Sequence, residues 1–384
     1  MSKLWWLLLL GLVACSRPAA NPYDYQYVQA SGPTTDELIT FYRDRVERNP
    51  KGFVDRATLA EAYLEKARLT RDPSFFELAA QLARESIERQ PNPGATLVLA
   101  QVHEATHEFA QCVALCEDVL HRDSNNEGAL SLLTTANIEL GRVDQAEAWF
   151  KRLPREPGPG YLGLKGRLAE ARGQFEQAAE YYQEAINLEQ PQQRSLSALL
   201  RVEMGRCLMR LERFEAARQA FLGALQARQD DPAALLWLGH LAREQMDYSR
   251  AGEFYTRAFA KNQEAAPLVW LGLCHHLAGR DQEAERVWEQ AQTILEGDLA
   301  RGHYGHGRDL GRLYLERGRP EDVARAVEVM KNELERRRDN ETLTVAARAF
   351  AAAGQPAKAA ELVKEARRWG YDSPELEAIV TPAG

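Results

Sequence analysis

Residues 238–258 read LGHLAREQMDYSRAGEFYTRA, and the small and aromatic residues of this stretch recur along the chain at nearly constant spacing. Gly239, Ala251, Tyr255 and Ala258 each have one counterpart about 34 residues upstream and another at nearly the same distance downstream. The counterparts are small where these residues are small and aromatic where they are aromatic: Gly205, Gly272, Ala217, Ala284, Phe221, Trp288, Ala224 and Ala291. A fixed period of this length indicates a stack of repeated units, each of which buries its apolar face only against its neighbours.

The order of small and large residues within the unit suits two antiparallel helices joined by a short turn. Such helices approach closely only where Gly or Ala replaces a bulky side chain, and large residues fill the remaining gaps. A unit of about 34 residues with Gly or Ala, then Ala, an aromatic residue and Ala resembles the tetratricopeptide repeat family. The resemblance covers roughly residues 55–370. It implies an all-α, right-handed superhelical solenoid of about eight helix-turn-helix units.

The turns between the two helices of each unit can be located along the array. They are predicted at Phe109, Val143, Phe175, Phe214, Tyr248, Asp281, Pro320 and Pro356. At the last two positions the Pro stands where the first turn of a helix tolerates a missing N–H. Two intervals, Phe175 to Phe214 and Asp281 to Pro320, are longer than the others. These joints are predicted to hold an additional helical turn or a longer loop.

The N-terminal residues predict export and a lipid anchor. Lys3 precedes an apolar run over residues 4–14, which is too short for a bilayer span of about 20 residues and suits a secretory signal peptide. The run ends in LVAC, which resembles a bacterial lipobox, and in that family the Cys receives the lipid and becomes the first mature residue. Cys15 is therefore the predicted lipidation site. An uncleaved anchor, or an ordinary signal with a coincidental Cys, are the alternatives. Ser16 in place of Asp favours the periplasmic side of the outer membrane.

The predicted organisation follows from these features. Residues 1–14 form the signal peptide, 15–33 the lipidated Cys and a flexible tether, 34–90 the N-terminal helices with an irregular first repeat, 91–370 the array and 371–384 a C-terminal tail. The first helix is predicted to begin at Thr34 or Thr35, because Thr35 is followed by acidic residues that suit a helix N-terminus. It should end near Asn49.

Composition and charge exclude several functions. The formal net charge of −8 and the lack of a basic face argue against general nucleic-acid binding. No Gly-rich phosphate loop, nucleophile elbow or paired-carboxylate arrangement stands out in the sequence, so neither an enzyme nor a cofactor is expected. Hairpin-bounded β-branched runs are also missing, which fits an all-α chain.

One motif favours a different reading. His103 and His107 flank Glu104 with the H-E-x-x-H spacing that places two imidazoles one helical turn apart to bind zinc, with the Glu as general base. The pattern departs from that of zinc peptidases in having Ala105 after the Glu and Glu108 after the second His. The repeat frame also places His107 at a turn. A zinc-dependent peptidase is thus the alternative function.

The cysteines allow a second hypothesis about metal binding. Cys112 and Cys116, one helical turn apart, could join His103 and His107 in a structural zinc site across the turn. However, Cys112 and Cys116 occupy the Ala and aromatic positions of their unit. Together with Cys207 and Cys274, which follow packing glycines, they are predicted to be buried apolar side chains instead of disulfide partners.

The concave surface carries the binding hypothesis, because proteins of this family commonly hold a peptide or partner helix in the groove lined by the first helix of each unit. The position after the packing Gly or Ala, with one about a helical turn further on, is expected to face this groove. Basic residues occupy these positions in successive units: Arg167, Arg206, Arg210, His240, Arg243, Arg312 and Arg348. Recurrent Arg favours an acidic segment or a C-terminal carboxylate.

Two alternatives compete for the same groove. Arg167 could pair with Glu170, and Arg312 with Glu316, along their own helices. An apolar patch for an amphipathic partner helix could instead be formed by residues that equally suit the core between repeats: Leu236, Val269, Leu273 and Leu277.

Together these features predict a non-catalytic, lipid-anchored scaffold that binds a protein or peptide in the bacterial cell envelope. The combination resembles outer-membrane lipoproteins with such repeats that assist pilus or secretin assembly, β-barrel insertion or recruitment of cell-wall hydrolases. A self-associating structural envelope protein is the remaining alternative, and the sequence does not fix the oligomeric state.

Overall fold

The structure is a computed structural model that describes residues 34–70, 72–156, 158–189, 194–301 and 306–380. Cys15, with the predicted signal peptide and tether, lies outside these ranges. All regular elements in the described ranges are α-helices, as predicted. In chain order they are α1 (Thr35–Arg48), α2 (Phe53–Thr70), α3 (Pro73–Arg89), α4 (Pro93–Ala105), α5 (Phe109–Arg122), α6 (Glu127–Glu139), α7 (Val143–Phe150), α8 (Pro159–Ala171), α9 (Phe175–Asn187), α10 (Arg194–Arg210), α11 (Phe214–Ala227), α12 (Pro232–Glu244), α13 (Tyr248–Asn262), α14 (Ala266–Leu277), α15 (Asp281–Ala300), α16 (Gly307–Arg317), α17 (Pro320–Arg336), α18 (Asn340–Ala352), α19 (Pro356–Arg367) and α20 (Pro374–Val380).

The helices from α2 to α19 form consecutive packed pairs, which makes nine pairs in the described ranges against the eight or so predicted. The even-numbered helix of each pair is the first helix of a repeat. The second helices α5 to α19 begin at the eight residues where turns were predicted, so the repeat frame is confirmed. At the two longer intervals the additional residues lengthen helices, because α10 has 17 residues and α15 has 20, against 13 in α8 and α12.

The period rests on close contacts between a glycine and an aromatic ring within a pair. In three successive pairs a Cβ added to the first-helix glycine would lie 2.3, 2.4 and 2.3 Å from a ring atom of the second helix. Any side chain at the glycine would therefore force the helices apart. The pairs are Gly205 with Phe221, Gly239 with Tyr255, and Gly272 with Trp288.

The two ends of the array differ in how firmly they are held. The predicted start of the first helix is confirmed, since Thr34 forms a capping box with Glu37, but α1 contains no buried residue. At the other end α20 packs on α18 and α19, and Leu376 is fully buried. Residues 371–380, the described part of the predicted tail, are therefore part of the folded array. No helix in the described ranges combines the length and the apolar character needed to span a bilayer.

The solenoid turns back on itself through residues 337–341 and 369–371, which we call the clasp. In the first segment the Arg338 amide donates a hydrogen bond to the Glu139 carbonyl over 2.8 Å. Among the described residues, extensive helix-to-helix packing occurs only between helices no more than two apart in chain order. The clasp therefore joins distant repeats through turns and helix ends.

The second segment of the clasp adds aromatic contacts. The Tyr371 ring meets Phe175 edge to face at 6.0 Å between ring centroids. Trp369 packs beside the core of the earlier repeats, and the Arg172 guanidinium lies 5.6 Å from the centroid of its ring. These contacts bridge the inner groove of the superhelix, and we call the bridged part of the groove the chamber.

Candidate binding chamber

The chamber has a volume of about 2060 Å³ and is walled by the first helices from α6 to α18, with the clasp on one side. Most of the predicted groove residues line it: Arg167, Arg206, Arg210, His240, Arg243 and Arg312. Arg348 lies outside the lining and pairs with Glu316 at 3.0 Å. Eleven Arg and Lys side chains and twelve Asp and Glu side chains belong to the lining, so the chamber is basic only locally.

Two of the predicted groove arginines pair with the preceding repeat. Arg167 Nη2 lies 2.8 Å from Glu139 Oε1, just as Arg348 reaches back to Glu316. Glu170 accepts a hydrogen bond from the Tyr182 hydroxyl over 2.6 Å. The alternative in which Arg167 pairs with Glu170, and Arg312 with Glu316, along one helix is therefore wrong. The pairs of Arg167 and Arg348 tie neighbouring repeats together, whereas Arg206 and Arg243 also pair with Glu203 and Glu244 of their own helices, at 2.6 Å each.

Tryptophan rings stand between the guanidinium groups. Arg243 and Arg312 each lie 4.8 Å from the centroid of the Trp270 ring, and Arg206 lies 5.3 Å from that of Trp237. Cations at these distances are attracted to the negative face of an aromatic ring. The rings hold the arginines in place at the chamber wall.

His240 belongs to the wall and is buried between the two tryptophans. Its Nδ1 shares a hydrogen bond of 2.8 Å with the Tyr255 hydroxyl. Burial, followed by the nearby cations Arg243 and Arg312, holds the pKa of His240 well below its usual range. The imidazole is therefore neutral and contributes structure to the wall instead of charge.

A carboxylate of the clasp enters the cluster of arginines. Glu341, in the first turn of α18, lies 3.0 Å from Arg206 Nη2 through Oε1 and 3.0 Å from Arg308 Nη1 through Oε2. Arg308 stands at the second residue of α16, directly after the irregular joint that precedes this helix. Neither residue was among those predicted, since the repeat frame alone does not show that the clasp returns to this place.

Three guanidinium groups of the chamber lining, those of Arg210, Arg312 and Arg368, lack a carboxylate contact in the described part of the chain, and Arg368 lies 4.8 Å from the centroid of the Trp369 ring. Arg312 touches the Trp270 face but forms no ion pair there, and its buried Nε has no hydrogen-bond partner. Arg210 donates to the Tyr371 hydroxyl over 2.8 Å. The buried Nε atoms of Arg206, Arg243 and Arg308 also lack partners. The chamber thus retains donors for an additional anion.

Two family models described as tetratricopeptide repeat match the chain, one over residues 105–168 and the other over residues 164–232 and 202–267. The chain is a tetratricopeptide-repeat protein. The matched region covers α5 to α13 and so includes the wall that carries Arg167, Arg206 and Arg243.

Among known proteins, this tetratricopeptide-repeat chain is 28% identical over 250 residues, 62% of its length, to cellulose synthase operon protein C of Xanthomonas axonopodis pv. citri (strain 306). The match covers 17% of that protein, so the chain corresponds to a small part of it. A human IFIT1 dimer with PPP-AAAA has a TM-score of 0.55 and 15% identity, covering 88% of this chain and 78% of its own. PilW, a type IV pilus biogenesis factor, has a TM-score of 0.45 and 17% identity over 52% of this chain and 92% of its own. The likeness to the IFIT1 dimer concerns the fold alone.

The H-E-x-x-H motif of the repeat protein does not form a zinc-binding helix. Helix α4 ends at Ala105, and His107 takes a left-handed conformation with φ of 60° in the turn that follows. The two imidazoles are therefore not on one helical face. His103 Nδ1 is instead 2.7 Å from Glu108 Oε2. Burial and the charge of Arg337 lower the pKa of His107 to about 3.

The four-ligand zinc alternative is not assembled either. Cys112 and Cys116 are fully buried in the core of the repeats, as predicted from their places in the unit, and Cys207 and Cys274 are buried in the same way. Within the described ranges no group of three or more His, Cys, Asp or Glu side chains is placed to hold a metal ion.

The apolar groove patch does not form a continuous surface. Val269 and Leu273 are buried in the core between repeats, and Leu236 packs against that core. Leu277 is 48% exposed at the end of α14. The core alternative therefore fits Val269 and Leu273, whereas Leu236 also lines the chamber and Leu277 is exposed.

Sequence reasoning missed the tryptophans of the chamber. Trp237 lies shortly before His240, and Trp270 shortly before Gly272, both on first helices. The i, i+3 spacing of Trp237 and His240 places them on one face of α12 and could have indicated that the ring faces the groove. For Trp270, only the rotation of α14 within the folded array determines whether the ring faces the groove.

Proposed function

We propose that this tetratricopeptide-repeat protein is a lipid-anchored scaffold that holds an acidic segment of a partner protein in its chamber. Tetratricopeptide-repeat proteins are protein-interaction scaffolds and are typically non-catalytic. The expected partner is therefore a protein. The chamber wall indicates where this partner binds and which of its chemical groups are recognised.

The observation that carries the proposal is the presence of guanidinium groups without a carboxylate contact on the chamber wall, among the residues that the structure describes. Arg312 is fixed against Trp270 at 4.8 Å, and Arg210 has the Tyr371 hydroxyl as its polar contact. A carboxylate of a peptide side chain or chain end accepts two parallel N–H bonds from such a group. A preorganised guanidinium loses little rotamer entropy when it binds, which favours affinity.

The location of the scaffold is a proposal based on the N-terminal sequence. Residues 12–15, LVAC, and the preceding apolar run support lipidation of Cys15 and attachment to the outer membrane on its periplasmic side. We infer that the partner belongs to an envelope assembly such as a pilus, a secretion apparatus or a complex of cell-wall enzymes. The relative from a cellulose synthase operon supports a role beside other proteins of one assembly.

The anchor is tested by metabolic labelling with an alkyne palmitate. The wild-type chain should carry the label and sediment with membranes. In Cys15→Ser the label should be lost and the protein released from the membrane fraction. A Cys112→Ser variant, in which a buried cysteine is replaced, should keep the label. Equal labelling of the wild type and Cys15→Ser would refute lipidation at this residue.

The chamber is tested by affinity capture from solubilised membranes with the wild type, Arg312→Glu and Arg286→Glu. Arg286 is a matched control, because its side chain is 72% exposed on α15 and absent from the chamber lining. A partner retained by the wild type and Arg286→Glu but lost by Arg312→Glu, and competed away by a peptide from its own acidic segment, would support the proposal. Identical capture by all three proteins would overturn it.

A further inference from the structure

The chamber already contains one carboxylate that reaches it from a distant part of the chain. Glu341 enters with the clasp and contacts Arg206 of the distant helix α10 and Arg308 of the neighbouring repeat, at 3.0 Å each, while Arg206 also pairs with Glu203 of its own helix at 2.6 Å. Burial by itself raises the pKa of Glu341, yet Arg308, Arg206, Arg312 and Arg210 together hold it well below its usual range. The carboxylate is therefore ionised and bound as an external anion would be.

An ion pair, between Arg337 Nη2 and Glu139 Oε2 at 2.9 Å, and a small number of hydrogen bonds attach the clasp segment that carries Glu341 to the opposite wall. The Arg338 amide bonds to the Glu139 carbonyl at 2.8 Å, and Asn340 Nδ2 donates to the Ala171 carbonyl at 3.2 Å. Each such bond contributes about 0.5–1.5 kcal/mol net. Since no extensive helix packing in the described ranges joins these distant repeats, this segment can separate while the helix pairs stay intact.

We propose that Glu341 is an internal substitute for the ligand, and that an acidic segment of the partner displaces it from Arg206, which lies across the clasp, and so opens the clasp. This inference rests on the proposed function, because it assumes that the chamber takes an acidic peptide. The ligand carboxylates engage the same guanidinium groups, and Arg312 and Arg210 supply the additional positive charge. The partner therefore needs more than one carboxylate to outcompete a residue that is already in place.

Displacement of Glu341 by the ligand predicts that removing the Glu341 carboxylate strengthens ligand binding. A fluorescein-labelled hexaglutamate peptide is the probe, measured by anisotropy at low salt, with hexaglutamine as the uncharged peptide control. Glu341→Gln should bind hexaglutamate about tenfold more tightly than the wild type, because the peptide then no longer has to displace the Glu341 carboxylate from the arginines. Arg312→Gln should bind it about tenfold more weakly.

Glu285→Gln is the matched control for Glu341→Gln. The Glu285 carboxylate also contacts two arginines, Arg317 at 3.2 Å and Arg319 at 2.7 Å, and the two carboxylates are 28% and 26% exposed. Glu285 does not line the chamber, so its loss should leave hexaglutamate binding unchanged. Circular dichroism of each variant verifies that the helices persist.

Clasp opening is read directly from hydrogen exchange. The Arg338 amide bonds across the clasp, so saturating hexaglutamate should speed its exchange about tenfold in the wild type, and the Arg337 amide, which bonds within its helix end, should change less. Binding of equal strength to wild type and Glu341→Gln, with an unchanged Arg338 rate, would overturn the displacement and leave the acidic-ligand function standing. No hexaglutamate binding to either protein would overturn both.

Discussion

The turns at Gly173 and Gly354 have the same local structure and opposite surroundings. Both glycines are left-handed, with φ of 69° and 68°, and both join the two helices of a repeat. A Cβ added at Gly354 would meet nothing within 4 Å, whereas one at Gly173 would lie 2.3 Å from the Gly370 carbonyl oxygen. The repeat sets the conformation of a turn. The closure of the superhelix decides which turns also carry a long-range contact.

A residue other than glycine is tolerated at this turn position in other repeats. His107, Glu212 and Met246 take φ values of 60°, 57° and 59° at the equivalent places. The left-handed conformation alone therefore does not demand glycine. At Gly141 and Gly173 the demand comes from the clasp, because backbone atoms of Arg338 and Gly370 fill the space that a Cβ would need.

The largest expected effect is that of Gly173→Asn compared with Gly354→Asn. Asn accepts the left-handed conformation best among the other residues, so both variants pay a similar local cost. Gly173→Asn also forces the clasp backbone away, and we expect it to be less stable by about a further 3 kcal/mol. Thermal unfolding followed by circular dichroism measures this difference. Equal midpoints for the two variants would mean that the clasp does not hold the turn.

The contrast between the two turns marks the limit of sequence reasoning. The helix starts, the Gly–aromatic contacts and the burial of the cysteines depend on neighbours within about one period, so the sequence predicts them. The clasp depends on small rotations added over many repeats and on the long helices α10 and α15. An unusually long interval between two turns, such as Phe175 to Phe214, cannot fix those rotations.

The residues of the binding site also fall into two groups: those that the repeat frame predicts and those that only the closure of the superhelix brings together. The arginines of the first helices were predicted to face the groove, because the repeat frame fixes their direction, and six of the seven predicted groove residues line the chamber. Glu341 and Arg308 were missed: Glu341 meets Arg308 between neighbouring repeats, but its contact with Arg206 joins α18 to the distant helix α10. Their position relative to the chamber follows from closure, and only the folded array displays it.

A second test of the contrast removes carboxylates from ion pairs inside and outside the clasp. Glu139→Gln takes a partner from Arg337, whose side chain is 7% exposed, and from Arg167, which is 35% exposed, while Glu316→Gln takes the partner of Arg348, which is 27% exposed. The cost of leaving a cation with fewer counterions grows with its burial. Because Arg337 keeps Asp339 at 2.7 Å, we expect a loss of about 2 kcal/mol for Glu139→Gln and under about 1 kcal/mol for Glu316→Gln.

Urea unfolding of both variants against the wild type measures these losses. The Arg338 amide also reports on the clasp, and its exchange should accelerate in Glu139→Gln alone. A larger loss for Glu316→Gln would contradict the claim that the clasp pair is the more buried and the more costly to break.

The pH dependence of stability sharpens the contrast further. Burial raises the pKa of Glu170, beside the clasped turn, to about 7, although Arg206 acts in the opposite direction. The folded chain therefore binds a proton more tightly than the unfolded chain. The contribution of Glu170 to stability is fully present at a pH below the pKa of an ordinary carboxyl group, and it falls as the pH rises towards and through 7. We expect a loss of about 1–2 kcal/mol between pH 5 and pH 8 in the wild type.

Glu170→Gln should flatten this part of the profile, because the amide does not titrate and still accepts the Tyr182 hydrogen bond. The measurement is the urea midpoint at pH 5, 6, 7 and 8 for both proteins. Profiles of the same slope would show that Glu170 is ionised throughout and that the neighbouring arginines outweigh its burial.

The smallest effect is expected at the open end of the array. Helix α1 has no buried residue, and its contacts include the ion pairs Lys66–Asp36 and Arg45–Asp55, both at 2.7 Å. Asp36 is 72% exposed, so Asp36→Asn should change stability by under about 0.5 kcal/mol. Local hydrogen exchange in α1 should nevertheless quicken, because a helix without buried side chains opens independently of the array. A global loss as large as that of Glu139→Gln would mean that the open end and the clasped middle unfold as one unit, and it would remove the contrast between them.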